Sequence, residues 1–454
     1  MPRGGFIALI LSSALVTFDG TAVTVALPAI GRDLDAPFSA LQWTMNASLV
    51  ALAALVMPAG VLGDTYGRRR MMRLGLLLFA SASVGCALAP TATWLVGARL
   101  VQGSGAALIV PGAIAILRAT YADERERARR FGAWAGWSGA AGAIGPLAGG
   151  ALVDLFSWRA VFLLSVALAV PTTLLLRSVP ESCAEGEQQP MQLVPATLIV
   201  LLLAASSFVL INGPQAGWMS VPTAGALVVV TLAACALWRQ GRRCPVLPVE
   251  IAASRNCLAA NAATFVLYFG MFGLAFLLVI YTQAVLEYSA TWSGVAVLPS
   301  AVVMLLLSEL FGRFAARLGT RALLISGPLT AAAGILWIGL GPQPLAFWTH
   351  IIPGTALFGL GVAMAVSPLT HAAVSSVPER TAGTASGVHH ATVRAAGLTA
   401  VAVLGSFAAS EPEAGVLSLD GFRRAMVVCG GFIAVAGVVA GTLIVNDEPG
   451  GLAS

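Results

Sequence analysis

Long apolar segments separated by short polar loops follow one another along this chain. Crossing about 30 Å of hydrocarbon takes roughly 20 residues of α-helix, and fourteen segments reach that length. Their approximate limits are 5–30, 41–63, 72–89, 94–117, 131–153, 159–177, 193–211, 222–238, 257–283, 292–312, 322–341, 347–375, 384–409 and 425–445. The sequence therefore predicts an all-α polytopic membrane protein with 14 transmembrane helices.

The composition also indicates a lipid environment. Hydrophobic residues make up 58% of the 454 residues and charged residues 10%, whereas about 25% of the residues of a soluble domain are charged. The net charge of +5 comes from basic residues that are all arginines, most of which lie in short loops between the apolar segments. This distribution is typical of a protein whose partner is the lipid bilayer, and it argues against nucleic acid.

The arginines also predict the orientation of the chain. With the N-terminus inside, nineteen arginines fall on the cytoplasmic side and four in outer loops, while Arg99 and Arg394 lie within spans. Because cytoplasmic loops carry an excess of basic residues, we expect both termini in the cytoplasm of a multi-pass protein of the cell membrane.

A glycine-framed, arginine-rich loop occurs twice. It reads Gly60-Val-Leu-Gly-Asp-Thr-Tyr-Gly-Arg-Arg-Arg70, and its frame returns 252 positions later as Gly312-Arg-Phe-Ala-Ala-Arg-Leu-Gly-Thr-Arg321. The repeat predicts two homologous six-helix bundles, at 1–178 and 257–454, with a cytoplasmic linker and spans 7 and 8 at 179–256. Parallel repeats of this kind place a substrate site near mid-membrane between the halves.

The first loop resembles the one between spans 2 and 3 of major facilitator superfamily transporters, and the second resembles its weaker counterpart. The stretch from Phe18 to Pro28 resembles the first-span signature of the fourteen-span drug:proton antiporters in that superfamily. The resemblance covers nearly the whole chain and implies the major facilitator fold. It also implies a cytoplasmic gate formed by Gly60, Asp64, Gly67, Arg68 and Arg69. Thr65 and Ala316 depart from the family pattern, so the resemblance gives less support for a charge relay at this gate.

Asp19 is the acidic position of the first-span signature, and Arg99 is its expected partner. A carboxylate inside a membrane costs about 2.5–3.5 kcal/mol on insertion scales, so Asp19 needs either a partner or a proton. Arg99 lies in the same outer half of the membrane, in a tract to Ala107 that resembles the family's fourth-span motif, whose arginine takes part in proton transfer. We expect the two residues to couple transport to protons, with a purely structural hydrogen bond for Asp19 and an interfacial position for Arg99 as the alternatives.

Small residues form a stripe along the fifth span. Glycines at three-to-four spacing permit close approach of a neighbouring helix. The sequence of this stretch resembles the antiporter motif of exporters. The resemblance implies that the stripe packs against the opposite half, here span 10. Ordinary helix packing within the membrane is the alternative. The motif residues are Gly142, Gly145, Pro146, Gly149 and Gly150.

Further polar and aromatic residues within spans are candidates for contacts with substrate or protons. Histidine titrates near neutral pH, so a histidine pair could form a second proton site, and aromatic rings could line a cavity for flat amphipathic molecules. Each of these residues could equally belong to the core or face lipid. The candidates are Gln102, Trp134, Trp137, Tyr268, Phe272, Glu309, His371, His389, His390 and Arg394.

No motif of a soluble enzyme competes with this interpretation. The sequence has no phosphate-binding loop and no lysine, so energy from ATP is not expected. Cysteines and histidines do not occur at zinc-site spacing. We therefore expect a monomeric, proton-driven exporter of lipophilic or amphipathic drugs or antibiotics, with no enzyme activity, metal or cofactor. Proton-coupled uptake of a nutrient and a non-transporting membrane sensor on the same fold remain the alternatives.

Overall fold

The computed structural model describes residues 3–121, 123–183, 193–243, 249–318, 320–408 and 418–443. These residues form α-helices joined by short turns, a single 3-10 turn at Leu176–Ser178 and a π-helical turn at Phe347–Ile351. The helices are α1 (Arg3–Asp33), α2 (Phe38–Tyr66), α3 (Arg68–Ala87), α4 (Ala92–Thr120), α5 (Glu124–Leu155), α6 (Trp158–Leu175), α7 (Leu193–Ala216), α8 (Val221–Arg243), α9 (Val249–Ala253), α10 (Arg255–Ala284), α11 (Ala290–Leu318), α12 (Thr320–Leu340), α13 (Ile352–Ser375), α14 (Glu379–Ala408) and α15 (Leu419–Leu443).

Twelve helical segments in the described part of the chain are long and apolar enough to cross a membrane. The two long helices outside this set are α5 and α14. Helix α5 begins with a charged turn and is rich in glycine, while α14 contains two histidines and several threonines and arginines. The all-helical membrane fold is confirmed, and the count of fourteen spans stays a prediction.

The chain divides into two compact units. Unit 1 contains Met1–Arg239, Leu278–Leu298 and Val401–Ser418, and unit 2 contains Gln240–Leu277, Pro299–Ala400 and Leu419–Ser454. Within unit 1, α1 packs on α5 and α6, α2 packs on α4 and α7, and α3 packs on α4 and α6. Within unit 2, α12 packs on α13 and α15. The predicted boundaries after 178 and 256 stay a prediction. Residues 184–192 and 244–248 of the predicted middle segment and the glycine at 319 lie outside the described residues.

Paired glycines bring helices together in the same way in both units. In unit 1, a Cβ on Gly75 of α3 would lie 2.8 Å from the carbonyl oxygen of Gly105 on α4. In unit 2, a Cβ on Gly327 of α12 would lie 2.9 Å from the carbonyl oxygen of Gly361 on α13. A side chain at either site would collide with backbone, so glycine is what permits these close crossings.

The end of α1 is tied to the start of α6. Asp33 accepts hydrogen bonds from the Trp158 indole at 3.0 Å and from the Arg159 guanidinium at 2.6 Å, and Ser157 caps α6 through the backbone N–H of Arg159. These contacts fix the register of α1 against α6, which positions Asp19 about four turns further back along α1.

Candidate functional site

Asp19 and Arg99 form an ion pair inside unit 1. Arg99 Nη1 lies 2.5 Å from Asp19 Oδ2, and the two residues are 1% and 3% exposed. Helix α1 contributes Asp19 and α4 contributes Arg99. The structure therefore brings together the two residues that the sequence analysis proposed as partners, in the interior rather than at an interface.

Neighbouring polar groups complete a closed network around the pair. Gln102, one turn after Arg99 on α4, accepts from Arg99 Nη1 at 2.6 Å and donates to Asp19 Oδ1 at 2.8 Å and to Ser83 Oγ at 2.8 Å. Ser165 Oγ donates to Asp19 Oδ1 at 3.4 Å. Arg99 Nε donates to the Thr44 carbonyl at 3.1 Å. Asp19 thus receives hydrogen bonds on both carboxylate oxygens, from α4 and from α6.

The network makes two charges tolerable where water is excluded. Two ions in a low-dielectric interior each lose several kcal/mol of hydration, and only good geometry with additional hydrogen bonds offsets that loss. The Phe162 ring adds a further contact, because the Arg99 guanidinium carbon lies 5.9 Å from its centroid. Moving a proton onto Asp19 would remove the countercharge of Arg99, so protonation and the arrangement of α1, α4 and α6 are physically linked.

The glycine-framed loop is held by the segment that follows α6. Gly67 has a φ of 105° and joins α2 to α3. Asp64 accepts from Arg68 Nε at 2.8 Å. Glu181 accepts from the backbone N–H of Arg69 at 2.9 Å, and a Cβ on Gly67 would lie 2.8 Å from the Glu181 carboxylate. Gly67 is therefore required both by its backbone conformation and by the approach of Glu181, while a Cβ on Gly60 would meet nothing within 4 Å.

The glycine stripe of α5 has two faces. A Cβ on Gly142 would lie 3.0 Å from Thr17 Cγ2, one on Gly145 would collide with Thr21, and one on Gly149 would lie 2.8 Å from Ala22 Cβ. This face packs on α1, whereas the prediction had the stripe packing on span 10. The reason is the periodicity of the helix, since positions three and four apart share the face toward α1.

The other face of the α5 stripe meets the first turns of α11, which belong to the same unit. A Cβ on Gly150 would collide with the Ala290 backbone, and one on Gly294 would collide with the Pro146 carbonyl. Pro146 and Gly150, four residues apart on this face, thus contact the helix that corresponds to span 10.

Asp154, one residue past the predicted fifth span, caps α11. Its carboxylate oxygens accept from the backbone N–H groups of Ala290 at 3.0 Å and Thr291 at 2.8 Å. A carboxylate is stabilised there because the first amides of a helix lack partners and carry partial positive charge. Burial raises the pKa of Asp154, but hydrogen bonds from Thr291, Ser289 and Ala290 outweigh that effect and hold it below its ordinary value.

The remaining candidates of the sequence analysis differ in exposure and in hydrogen-bond partners. The Trp134 indole donates to Ser13 Oγ at 2.9 Å, whereas Trp137 is 64% exposed. Glu309 forms an exposed pair with Arg313 at 2.6 Å. His371 is exposed and its ring lies 3.3 Å from Ser375 Oγ. These side chains do not converge on one another.

Two further groups of polar and aromatic side chains lie in unit 2, one on α13 and α14 and one on α10. Thr370 Oγ1 and His389 Nε2 are 3.2 Å apart, and the rings of His389 and His390 are 6.0 Å apart. On α10, the rings of Tyr268 and Phe272 are 6.5 Å apart. In the described part of the chain, no group of three or more His, Cys, Asp or Glu residues could hold a metal ion.

Comparison with known proteins gives the family. The family model described as the Major Facilitator Superfamily matches residues 9–402. The chain belongs to the major facilitator superfamily.

Relatives of this transporter have names that describe drug and antibiotic resistance. It is 33% identical over 416 residues to the multidrug resistance protein Stp of Mycobacterium tuberculosis, covering 89% of this chain and 75% of that protein. It is 32% identical over 405 residues to the methylenomycin A resistance protein of Streptomyces coelicolor, covering 88% and 84%. It is also 31% identical to the puromycin resistance protein pur8 of Streptomyces alboniger, covering 88% and 80%.

A solved structure agrees with the fold of this transporter. The crystal structure of the peptide transporter POT in complex with sulfate superimposes with a TM-score of 0.74 at 16% identity, covering 97% of this chain and 94% of that one. The chain is thus a multi-pass transporter of small molecules rather than an enzyme. Transporters of this superfamily generally need no cofactor.

Several residues around the sites of this transporter had no signal in the sequence. Ser83, Ser165 and the Thr44 carbonyl belong to the Asp19 network, yet serine and threonine are common in membrane helices. Asp154 and Glu181 lie at the ends of apolar segments, where an acidic residue is ordinary.

Proposed function

We propose that this transporter is a proton-coupled antiporter that exports lipophilic or amphipathic drugs across the cytoplasmic membrane by alternating access. The observation that supports the proposal is the ion pair of Asp19 and Arg99, which is almost fully buried and placed on two helices of one bundle. An ionisable residue within a membrane helix is costly and is retained for function in most cases.

In the proposed cycle, Asp19 alternates between Arg99 and a proton. The inward-facing state binds the compound as Asp19 gives up its proton and pairs with Arg99. In the outward-facing state, Asp19 takes up a proton, Arg99 loses its countercharge, and the compound is released. Binding of the compound and binding of the proton then oppose each other, which is the requirement for antiport.

The resistance proteins among its relatives support export and suggest the first compounds to test. Their names include puromycin and methylenomycin A. The stripe of α5, which resembles the antiporter motif, favours export over the alternative of nutrient uptake. A sensor without turnover has no evident use for a buried ion pair.

The test uses purified protein in liposomes with an imposed pH gradient and radiolabelled puromycin. Wild-type protein should accumulate puromycin against its gradient and release protons in return. The double variant Asp19→Asn/Arg99→Met removes both charges together and should bind puromycin without proton-driven accumulation. Arg313→Gln changes an exposed pair and serves as the control. Accumulation by the double variant at the wild-type rate would overturn the assignment of proton coupling, and accumulation in the opposite direction would favour uptake.

We also propose that both termini lie in the cytoplasm and that the protein is a monomer. A cysteine introduced at Ala92 should react with an impermeant thiol reagent in intact cells, and one at Gln188 should not. Gln188 lies outside the described residues, so this expectation comes from the distribution of arginines alone. Labelling at Gln188 would contradict the orientation, and light scattering of the purified protein measures the oligomeric state.

We further propose that the loop Gly60–Arg70 acts as a cytoplasmic gate. Asp64 pairs with Arg68, and Glu181 binds the start of α3, so the loop is a defined structure rather than a loose connection. Asp64→Asn should change the transport rate together with the reactivity of cysteines on the cytoplasmic side. If it changes neither, the loop has no role in gating.

A further inference from the structure

Within the described residues, Arg394 differs from the other intramembrane arginine in having no ion-pair partner. It is half-buried, and no ion pair or hydrogen bond of its side chain occurs within the described part of the chain. It lies at the middle of α14, roughly 20 Å from either end at 1.5 Å per residue. Arg99, in contrast, is fully paired with Asp19. An arginine at this depth is costly without a partner, so the missing partner is the feature to explain.

The part of α14 that contains Arg394 lies beside α10. A Cβ on Gly397, one turn further along α14, would lie 3.0 Å from the Phe272 ring. Tyr268 lies one turn before Phe272 on α10 and interacts electrostatically with Arg394. Charged groups within membrane helices almost always face the protein interior or a water-filled cavity. By this rule we expect the side chain to face the protein beside α10 rather than lipid.

The open face of α14 consists of small and polar residues. Gly387, His390 and Ala391 are exposed and Arg394 is half-exposed, at the i, i+3, i+4 and i+7 positions of one helix face. His390 interacts electrostatically with Arg394, and the adjacent His389 ring is hydrogen-bonded to Thr370 instead. This face suits a bound molecule whose negative charge pairs with Arg394.

The groups that converge here are donors. A guanidinium has five N–H donors and no acceptor, and its planar fork matches a carboxylate in two parallel hydrogen bonds. The Tyr268 hydroxyl and a ring nitrogen of His390 can donate as well. The Tyr268 and Phe272 rings provide an aromatic wall next to these donors. The arrangement fits an acidic group attached to a flat apolar body.

We propose that Arg394, Tyr268 and His390 form a binding subsite for the carboxylate of an aromatic organic acid. The subsite deepens the proposed function, because it names a chemical class among the compounds that the transporter would export. Anionic lipid headgroups offer similar chemistry, but they lie at the membrane surface and Arg394 is at the middle of its helix.

The experiment compares an acid with its own ester. Binding of 7-methoxycoumarin-4-acetic acid and of its methyl ester is measured at pH 7.5 by equilibrium dialysis against purified full-length protein in an uncharged detergent, with protein-free micelles as the blank. Wild-type protein should bind the acid about tenfold or more tightly than the ester, as expected for a charge-assisted pair. Arg394→Gln should remove this preference while changing ester binding less than about twofold, and Arg394→Lys should keep part of it. Arg313→Gln, at an exposed pair, should change neither.

Each other outcome overturns the proposal. Equal binding of acid and ester by wild-type protein, or a preference that survives in Arg394→Gln, would show that Arg394 does not bind the carboxylate. Loss of acid binding only when anionic lipid is added would assign the site to a lipid headgroup. Folding is checked independently, because Arg394→Gln should keep a cooperative melting transition without ligand, while the acid should raise the melting temperature of wild-type protein only.

Dialysis needs no pH gradient, so the result does not depend on proton coupling. Acid-selective binding without proton-driven transport would leave the subsite in place and remove the proposed antiport mechanism. Proton-driven transport without acid-selective binding would support the antiport mechanism and overturn the subsite.

Discussion

Breaking the buried ion pair should cost far more stability than its hydrogen-bond length alone suggests. Arg99→Met leaves the carboxylate of Asp19, which is 3% exposed, without its countercharge, and Asp19→Asn leaves the guanidinium of Arg99 in the same position. Leaving one member of such a pair unpaired costs about 3–5 kcal/mol. The double variant Asp19→Asn/Arg99→Met contains neither charge, so we expect it to lose little beyond the worse single variant. The coupling energy should therefore be about 3 kcal/mol or more.

An exposed pair on α11 supplies the matched control. Arg313 and Glu309 lie 2.6 Å apart, close to the 2.5 Å of the buried pair, but their side chains are 72% and 79% exposed. Water and salt screen such a pair, which is worth about 0–1 kcal/mol. Arg313→Gln should therefore cost little, and the contrast between the pairs measures the effect of burial at nearly constant distance.

The free energy of unfolding can be measured by denaturant titration of each purified variant in one detergent, followed by tryptophan fluorescence. A complete double-mutant cycle and the Arg313→Gln control need five proteins. If Arg99→Met costs less than about 1 kcal/mol, or if the two single effects add, the pair is not the desolvated unit described above.

Three further predictions concern the packing and the ends of helices. Gly145→Val should lower the melting temperature, because overpacking against α1 costs about 1–3 kcal/mol, whereas Gly139→Ala should be nearly silent because a Cβ there meets nothing within 4 Å. Asp154→Ala should cost about 0.5–2 kcal/mol at the start of α11 and speed hydrogen exchange of its first amides. The pKa of Asp154 is held below its ordinary value, so the cap should be fully formed above about pH 4 and weaken only at lower pH. Titration of Asp154 should therefore not change the exchange protection of wild-type protein between pH 5 and 8. Glu181→Gln should speed exchange at the start of α3, and unchanged exchange there would contradict the role assigned to the Glu181 carboxylate.

The sequence by itself determined the class of protein and the type of its elements. Apolar segments of about 20 residues predict helices because lipid leaves the backbone no other partners, and helices lie at each predicted segment. The family followed from short motifs whose residues have fixed local tasks, such as Gly67 with its φ of 105°. Asp19 and Arg99 stood out as charges in apolar surroundings, and the cost of burying a charge made each the expected partner of the other.

Only the tertiary structure decided which faces meet. Periodicity defines the stripe of α5, but it does not define the rotation of α5 about its axis, so Gly142 and Gly145 proved to face α1 while Gly150 faces the start of α11. The same holds for Ser165, which reaches Asp19 across 146 positions of sequence, and for Asp154, which caps a helix 136 positions away. Common residue types give no signal for such contacts, because their role comes from the neighbour that packing brings to them. Likewise, the sequence marked Arg394 as a charge within a span, and the packing of α14 on α10 decided that this charge has no carboxylate among its described neighbours.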